Sequence, residues 1–129
     1  MLKALSSFSG LSVTNLAEAK AFYVDTLQLE LKNEEMGLQL ALPGGGELFL
    51  YEKADHQPAS FTVLNFVVEN INDTIDHLTA DHGITMERYD GMPMPQDERG
   101  VLRGKPANQG PDIAWFKDPA GNILSVIES

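Results

Sequence analysis

A chain of 129 residues with 43% apolar and 22% charged side chains has the make-up of one soluble globular domain with a real core, too short for two independent ones. No apolar run approaches the roughly 18 residues of a membrane span, the N-terminal M-L-K-A-L-S-S-F has no long apolar core and so no signal peptide is expected, and the absence of cysteine removes disulfides, thiolate ligands and thiol nucleophiles. A net charge of −10 argues against nucleic-acid backbones and anionic membrane surfaces and tolerates a cationic ligand; the cytoplasm is the expected location.

Leu5 to Val13 reads as the first strand, apolar with small polar residues at Ser9 and Ser12. Asn15 then stands before Leu16 with Glu18 three positions on, an arrangement in which a side-chain cap and a returning carboxylate satisfy the free amides of a helix start. Leu16, Ala19, Tyr23 and Leu27 recur at helical spacing and mark its buried face. Two strands follow, Glu30 to Glu35 and Leu38 to Leu42, the second alternating Leu38, Leu40, Leu42 and ended by Pro43 and three glycines. Glu47 to Tyr51 is a further strand, and the polar, Pro58-containing stretch from Lys53 to Ser60 reads as a linker.

A single offset of 55 residues aligns the second half with the first: Val13 with Val68, Asn15 with Asn70, Leu16 with Ile71, Tyr23 with Leu78 and Leu29 with Ile84. Asn70 and Asp73 can cap a second helix, whose buried face is Ile71, Ile75 and Leu78. Thr85 to Tyr89 reads as a strand. The irregular run from Asp90 to Gly110, with Pro93, Pro95, Pro106 and four glycines, is long enough to suggest a lid or binding loop. Strands at Asp112 to Phe116 and Asn122 to Glu128 flank a turn of Asp118, Pro119, Ala120, Gly121 and Asn122, in which Pro119 sets φ and Gly121 or Asn122 accepts positive φ. The expected fold is therefore α+β: strand, helix and three strands, repeated once, with modules at about 5–53 and 61–129 within a single domain of residues 1–129.

Two segments, S-V-T-N-L-A-E-A-K-A-F-Y from Ser12 to Tyr23 and I-A-W-F-K-D-P-A-G-N-I-L-S from Ile113 to Ser125, resemble the vicinal oxygen chelate superfamily. That superfamily includes glyoxalase I, extradiol dioxygenases, fosfomycin-modifying enzymes and bleomycin resistance proteins. The resemblance implies two tandem βαβββ modules forming a curled mixed sheet around a central cleft. Its metal-dependent members hold a divalent ion with His, Glu or Gln side chains projecting from the strands. The corresponding positions here are Phe8, Phe49, Val63 and Ser125, three of them apolar and one a hydroxyl, whereas a divalent ion needs strongly donating ligands. What the resemblance implies is accordingly a member with no metal and no cofactor, which binds a small organic ligand as bleomycin resistance proteins do and forms a homodimer.

Nothing else in the chain spells a familiar catalytic site. His77 and His82 are five apart, unsuited to sharing a helix face, and His56 lies in the linker. The adjacent pairs Glu34 with Glu35 and Asp97 with Glu98 point in different directions. Positions in register with the lost ligands give the candidate ligand-binding set Phe8, Phe49, Tyr51, Val63, Asn65, Trp115 and Ser125, which a one-residue slip would turn outward. Trp115, the only tryptophan, offers a stacking face for a planar or cationic ligand; the same aromatics would also serve as plain core. Arg103, with Asp97, Glu98 and Arg99, is the candidate charged contact from the long loop. Two enzymatic alternatives remain. One is a lyase, isomerase or dioxygenase with displaced ligands such as Glu47, Glu52 or a histidine; the other is metal-free catalysis by Tyr51, Asp97 or Glu98.

Overall fold

The structure, a computed structural model, describes all 129 residues. Asn15 and Asn70 both cap, with extended backbone and side-chain oxygens accepting from Glu18 N at 2.9 Å and Asp73 N at 3.0 Å. The helices they open are α1 (Leu16–Lys20) and α2 (Ile71–Asp76), and each runs on as a π-helical turn, Ala21–Thr26 and His77–Asp81. The carboxylate expected from Glu18 comes instead from the end of each module's last strand. Leu16 N donates to Glu52 Oε1 at 3.0 Å and Ile71 N to Glu128 Oε1 at 2.8 Å. The helix exits also repeat: Leu29 N donates to Tyr23 O and Ile84 N to Leu78 O, again 55 residues apart. The wider π turn shifts the apolar face, so that Phe22 is buried edge-on to Tyr23 where ideal α periodicity pointed to Leu27. Replacing Asn15 or Asn70 by alanine is expected to lower stability by about 1 kcal/mol each, additively because the caps serve separate helices; urea denaturation checks this.

The strands are β1 (Ser9–Val13), β2 (Glu30–Asn33), β3 (Leu38–Ala41), β4 (Glu47–Glu52), β5 (Thr62–Val67), β6 (Leu102–Arg103), β7 (Asp112–Lys117) and β8 (Ile123–Glu128). They form two four-stranded mixed sheets, ordered β1-β4-β3-β2 and β5-β8-β7-β6, each with one parallel pair, rather than one continuous ladder. The fold is α+β, with two tandem βαβββ modules of identical topology. By contacts the chain divides into Met1–Pro58 and Ala59–Ser129, the break falling in the linker.

Two expected strands differ. The first begins at Ser9, not Leu5. Residues 85–89 form no strand; Glu87 N donates to Trp115 O at 2.8 Å, and two residues earlier in β7 the edge position is taken by β6, pairing Leu102 with Ile113 and Arg103 with Asp112. The proline- and glycine-rich loop thus splits one edge strand into two short contacts.

Each sheet has a helix-side face and an open face. In the first unit Val13, Leu38, Leu40, Leu48 and Leu50 are buried with Ala19 and Tyr23, while Phe8, Phe49 and Tyr51 share the other face. In the second, Ala114, Phe116, Leu124 and Val126 are buried with Ile71, Ile75 and Leu78, and Asn65, Val67, Ile113, Trp115, Ser125 and Ile127 lie opposite. The closing turn is as expected. Asp118 Oδ1 accepts from Ala120 N at 2.9 Å and Asn122 N at 2.8 Å, its Oδ2 accepts from Asn122 Nδ2 at 2.9 Å, and Gly121 sits at φ +85°.

Candidate functional site

On the open face of the second sheet a cleft of about 210 Å³ is lined by Trp115, Thr62, Phe61, Tyr89, Met92 and Ile123, with Ser60 at its margin. Trp115 is fixed there on two sides. Its Nε1 donates to Thr62 Oγ1 at 3.1 Å, and the Tyr89 ring meets it edge-on at 5.8 Å between centroids. Thr62 reaches this face because of a β-bulge. Thr62 pairs with Ile123 but Leu64 with Leu124, so Val63 is the extra residue and Thr62, rather than Val63, turns toward Trp115.

Tyr89 and Met92 enter from the loop that follows the second helix, and Gln96 sets its course. The Gln96 side chain accepts from Tyr89 N at 2.7 Å and donates to Glu87 O at 3.0 Å and Gly100 O at 2.7 Å. Farther on, Asp97 ties the loop to itself, accepting from Arg99 N, Val101 N and Arg103 Nε, each at 2.9 Å. Burial pushes the Asp97 carboxyl up, but the Val101 and Arg99 amides and the Arg103 guanidinium outweigh it and leave it below the usual carboxylate range. Burial, and then the charge of Glu87, push the Tyr89 phenol above its ordinary value.

The candidate residues chosen from sequence fall into three groups. Phe8, Phe49 and Tyr51 form an aromatic row on the first sheet, with Phe49 edge-on to Phe8 at 6.2 Å and stacked on Tyr51 at 6.0 Å. Gly37 makes room for that row, since a Cβ there would meet the Phe49 ring at 2.8 Å and Leu50 O at 2.4 Å. On the second sheet Asn65, Ser125 and Trp115 are cross-strand neighbours, but Ser125 is fully buried and donates to Asn65 Oδ1 at 2.5 Å. Of the eight candidates only Trp115 lines the cleft. Arg103 belongs elsewhere. It pairs with Asp112, on the helix-side face, and bonds Asp97, Asp112 and, at 2.7 Å, Asn72 Oδ1 of α2. Thr62, Phe61, Met92 and Tyr89 line the cleft without being among the candidates; the one sequence signal for them is that Tyr89 is an aromatic at the mouth of the long loop.

The positions to which the resemblance assigns a divalent ion's ligands carry side chains that do not fit one. Phe8, Phe49 and Val63 have no donor, Ser125 Oγ is committed to Asn65, and no three His, Asp or Glu side chains come together as a metal-holding group. The displaced donors are engaged too: Glu47 with Lys32 and Gln39, Glu52 with Leu16 N, and His56 with Ser12.

The model of the Glyoxalase/Bleomycin resistance protein/Dioxygenase superfamily matches residues 5–126. The chain belongs to this superfamily. Solved structures similar to this superfamily member include a glyoxalase family protein from Enterococcus faecalis, 25% identical, with 98% of each chain covered and a TM-score of 0.66. TnmS3, an antibiotic-binding protein from Streptomyces sp. CB03234, is 22% identical with 98% of each chain covered and a TM-score of 0.64. The fosfomycin resistance protein FosX from Listeria monocytogenes is 15% identical, covering 100% of this chain and 95% of that one, with a TM-score of 0.68. No curated protein matches the chain significantly. At these identities the neighbours establish the fold that this glyoxalase/bleomycin resistance relative adopts, and no helix in it is long and apolar enough to cross a membrane.

Proposed function

We propose that this chain is a metal-independent binding protein that holds a small, flat organic molecule against Trp115. The observation that carries the reading is the cleft itself. A tryptophan is held in place by Thr62 and Tyr89 and surrounded by Phe61, Met92 and Ile123, while the positions that would ligate a metal carry Phe8, Phe49, Val63 and a committed Ser125. An indole fixed by a hydrogen bond and a neighbouring ring does not first have to be ordered, which lowers the entropic cost of binding. The antibiotic-binding neighbour supports a small organic ligand on this fold, and the net charge of −10 suits a neutral or cationic one. The aromatic row of Phe8, Phe49 and Tyr51 is a second apolar surface, and the family resemblance supports a homodimer in a cytoplasmic protein.

Thermal melts test the reading. A flat bicyclic probe such as 1-indanone, at about ten times its dissociation constant, should raise the midpoint by several degrees, and Ni, Mn, Zn or Fe(II) should not. A raised midpoint with one metal, accompanied by one equivalent of that metal in elemental analysis, would overturn metal independence.

A further inference from the structure

The first unit holds a hydroxyl and an imidazole at the spacing of a nucleophile and its base. Ser12 Oγ and His56 Nδ1 lie 2.6 Å apart and half-buried, although 44 positions separate the two residues in the chain. The path after β4 brings them together. Lys53 N donates to Val13 O at 3.0 Å, which carries the pairing with β1 one residue past Glu52. His56 N then donates to Lys53 O at 3.1 Å, closing a turn through Ala54 and Asp55 that sets the imidazole back over β1. In the tautomer with its proton on Nε2, that imidazole accepts from the Ser12 hydroxyl. A hydroxyl within about 2.6–3.2 Å of a positioned base is the arrangement that activates serine as a nucleophile.

Ser12 also opens onto a surface that can hold a substrate. Its neighbour Val13 is buried on the helix side, so Ser12 lies on the open face of the sheet, where its cross-strand partner is Tyr51. Two residues back, Gly10 places no side chain beside the Tyr51 ring, whose Cε1 a Cβ there would meet at 3.9 Å. The row of Tyr51, Phe49 and Phe8 runs on from the hydroxyl, and Tyr51 and Phe8 are 38% and 63% exposed, within reach of a solute. We propose that Ser12 and His56 form a nucleophilic pair that takes the acyl group of an aromatic ester lying on this row. Ser12 Oγ attacks the carbonyl carbon as its proton passes to His56 Nδ1. The bond from that carbon to the leaving phenoxide breaks, and the proton goes on to the phenoxide. Water then attacks the acyl-serine with His56 again as base, so ester and water become acid and phenol. The pair lies wholly within Met1–Pro58 and does not depend on the cleft beside Trp115.

The test first traps the hydroxyl in the wild-type protein. Phenylmethanesulfonyl fluoride, whose sulfur bonds a serine oxygen as fluoride leaves, should modify Ser12 and spare the exposed Ser6, Ser7 and Ser9, as read by peptide mass mapping. Wild type should also hydrolyse 4-nitrophenyl benzoate, and Ser12→Ala should lose that activity. His56→Gln keeps an acceptor for the Ser12 hydroxyl but supplies no base, so trapping and hydrolysis should both slow by about 100-fold or more. In Tyr51→Leu the rate on the benzoate should fall several-fold relative to that on 4-nitrophenyl acetate. Ser12 left unmodified in wild type, or hydrolysis unchanged in Ser12→Ala, overturns the nucleophile and leaves the bond as a tie between linker and β1. Equal rates in His56→Gln overturn the base, and an unchanged benzoate-to-acetate ratio in Tyr51→Leu overturns the row as the substrate's place.

Discussion

Replacing Trp115 by alanine is expected to weaken binding of 1-indanone by about 30-fold or more, the cost of truncating a central aromatic contact. The indole forms one wall of the cleft, and its loss also frees Thr62 Oγ1 and removes the edge-on partner of Tyr89. Trp115→Phe separates these effects. It keeps a flat ring and loses only the bond to Thr62, so its affinity should stay within a few-fold of wild type. Competition calorimetry serves for both variants, since neither retains the indole signal. Wild-type affinity in Trp115→Ala would place the ligand elsewhere, with the row of Phe8, Phe49 and Tyr51 the next surface to examine.

The largest loss of stability is expected at the closing hairpin. Asp118 is 5% exposed, and its carboxylate is the acceptor for two backbone amides and the Asn122 side chain, itself 3% exposed. Asp118→Ala leaves these donors without their acceptor in a place water reaches poorly. At about 1–3 kcal/mol for each unsatisfied buried group, partly relieved by relaxation, the total is about 3 kcal/mol or more. That corresponds to a fall in melting temperature of about 10 °C or more for a chain of this size. Asp118→Asn should fall between, because it retains one acceptor oxygen but turns an amide toward Asn122 Nδ2. A fall of under about 2 °C in Asp118→Ala would mean that the turn's backbone alone holds β7 and β8 together.

Features set by short-range chemistry were legible in the sequence. The asparagine side-chain caps, the alternation of Leu38 and Leu40 in β3 and the turn from Asp118 to Asn122 each depend on residues within a few positions of one another and stand as read, whereas the carboxylate expected from Glu18 and the buried place expected for Leu42 do not. The 55-residue repeat was legible because both copies keep the same cap and the same helix exit. Where distant chain segments decide, the sequence alone does not place a residue. Whether Thr62 or Val63 faces Trp115 depends on a bulge against β8, and alternation along β5 alone gives the wrong residue. Arg103 reads from sequence as a candidate charged contact of the loop, and its bonds to Asp112 and Asn72, distant in the chain, are visible only after folding. The place of Tyr89 beside Trp115 is not visible in the sequence, because it follows from the Gln96 side chain bonding three separate backbone groups.

The way each helix is closed has a consequence for how such a chain can change. Glu52 and Glu128 each tie the last strand of a module to the first amide of that module's own helix, so each copy completes its crossover from within. The position least involved in that closure is the outer edge strand. There the second copy departs most from the first, exchanging the continuous β2 for a loop that carries Tyr89 and Met92 and returns as the two-residue β6. A chain built of two such copies can carry distinct recognition chemistry on one lengthened margin, while each copy keeps the cap and crossover that fold it.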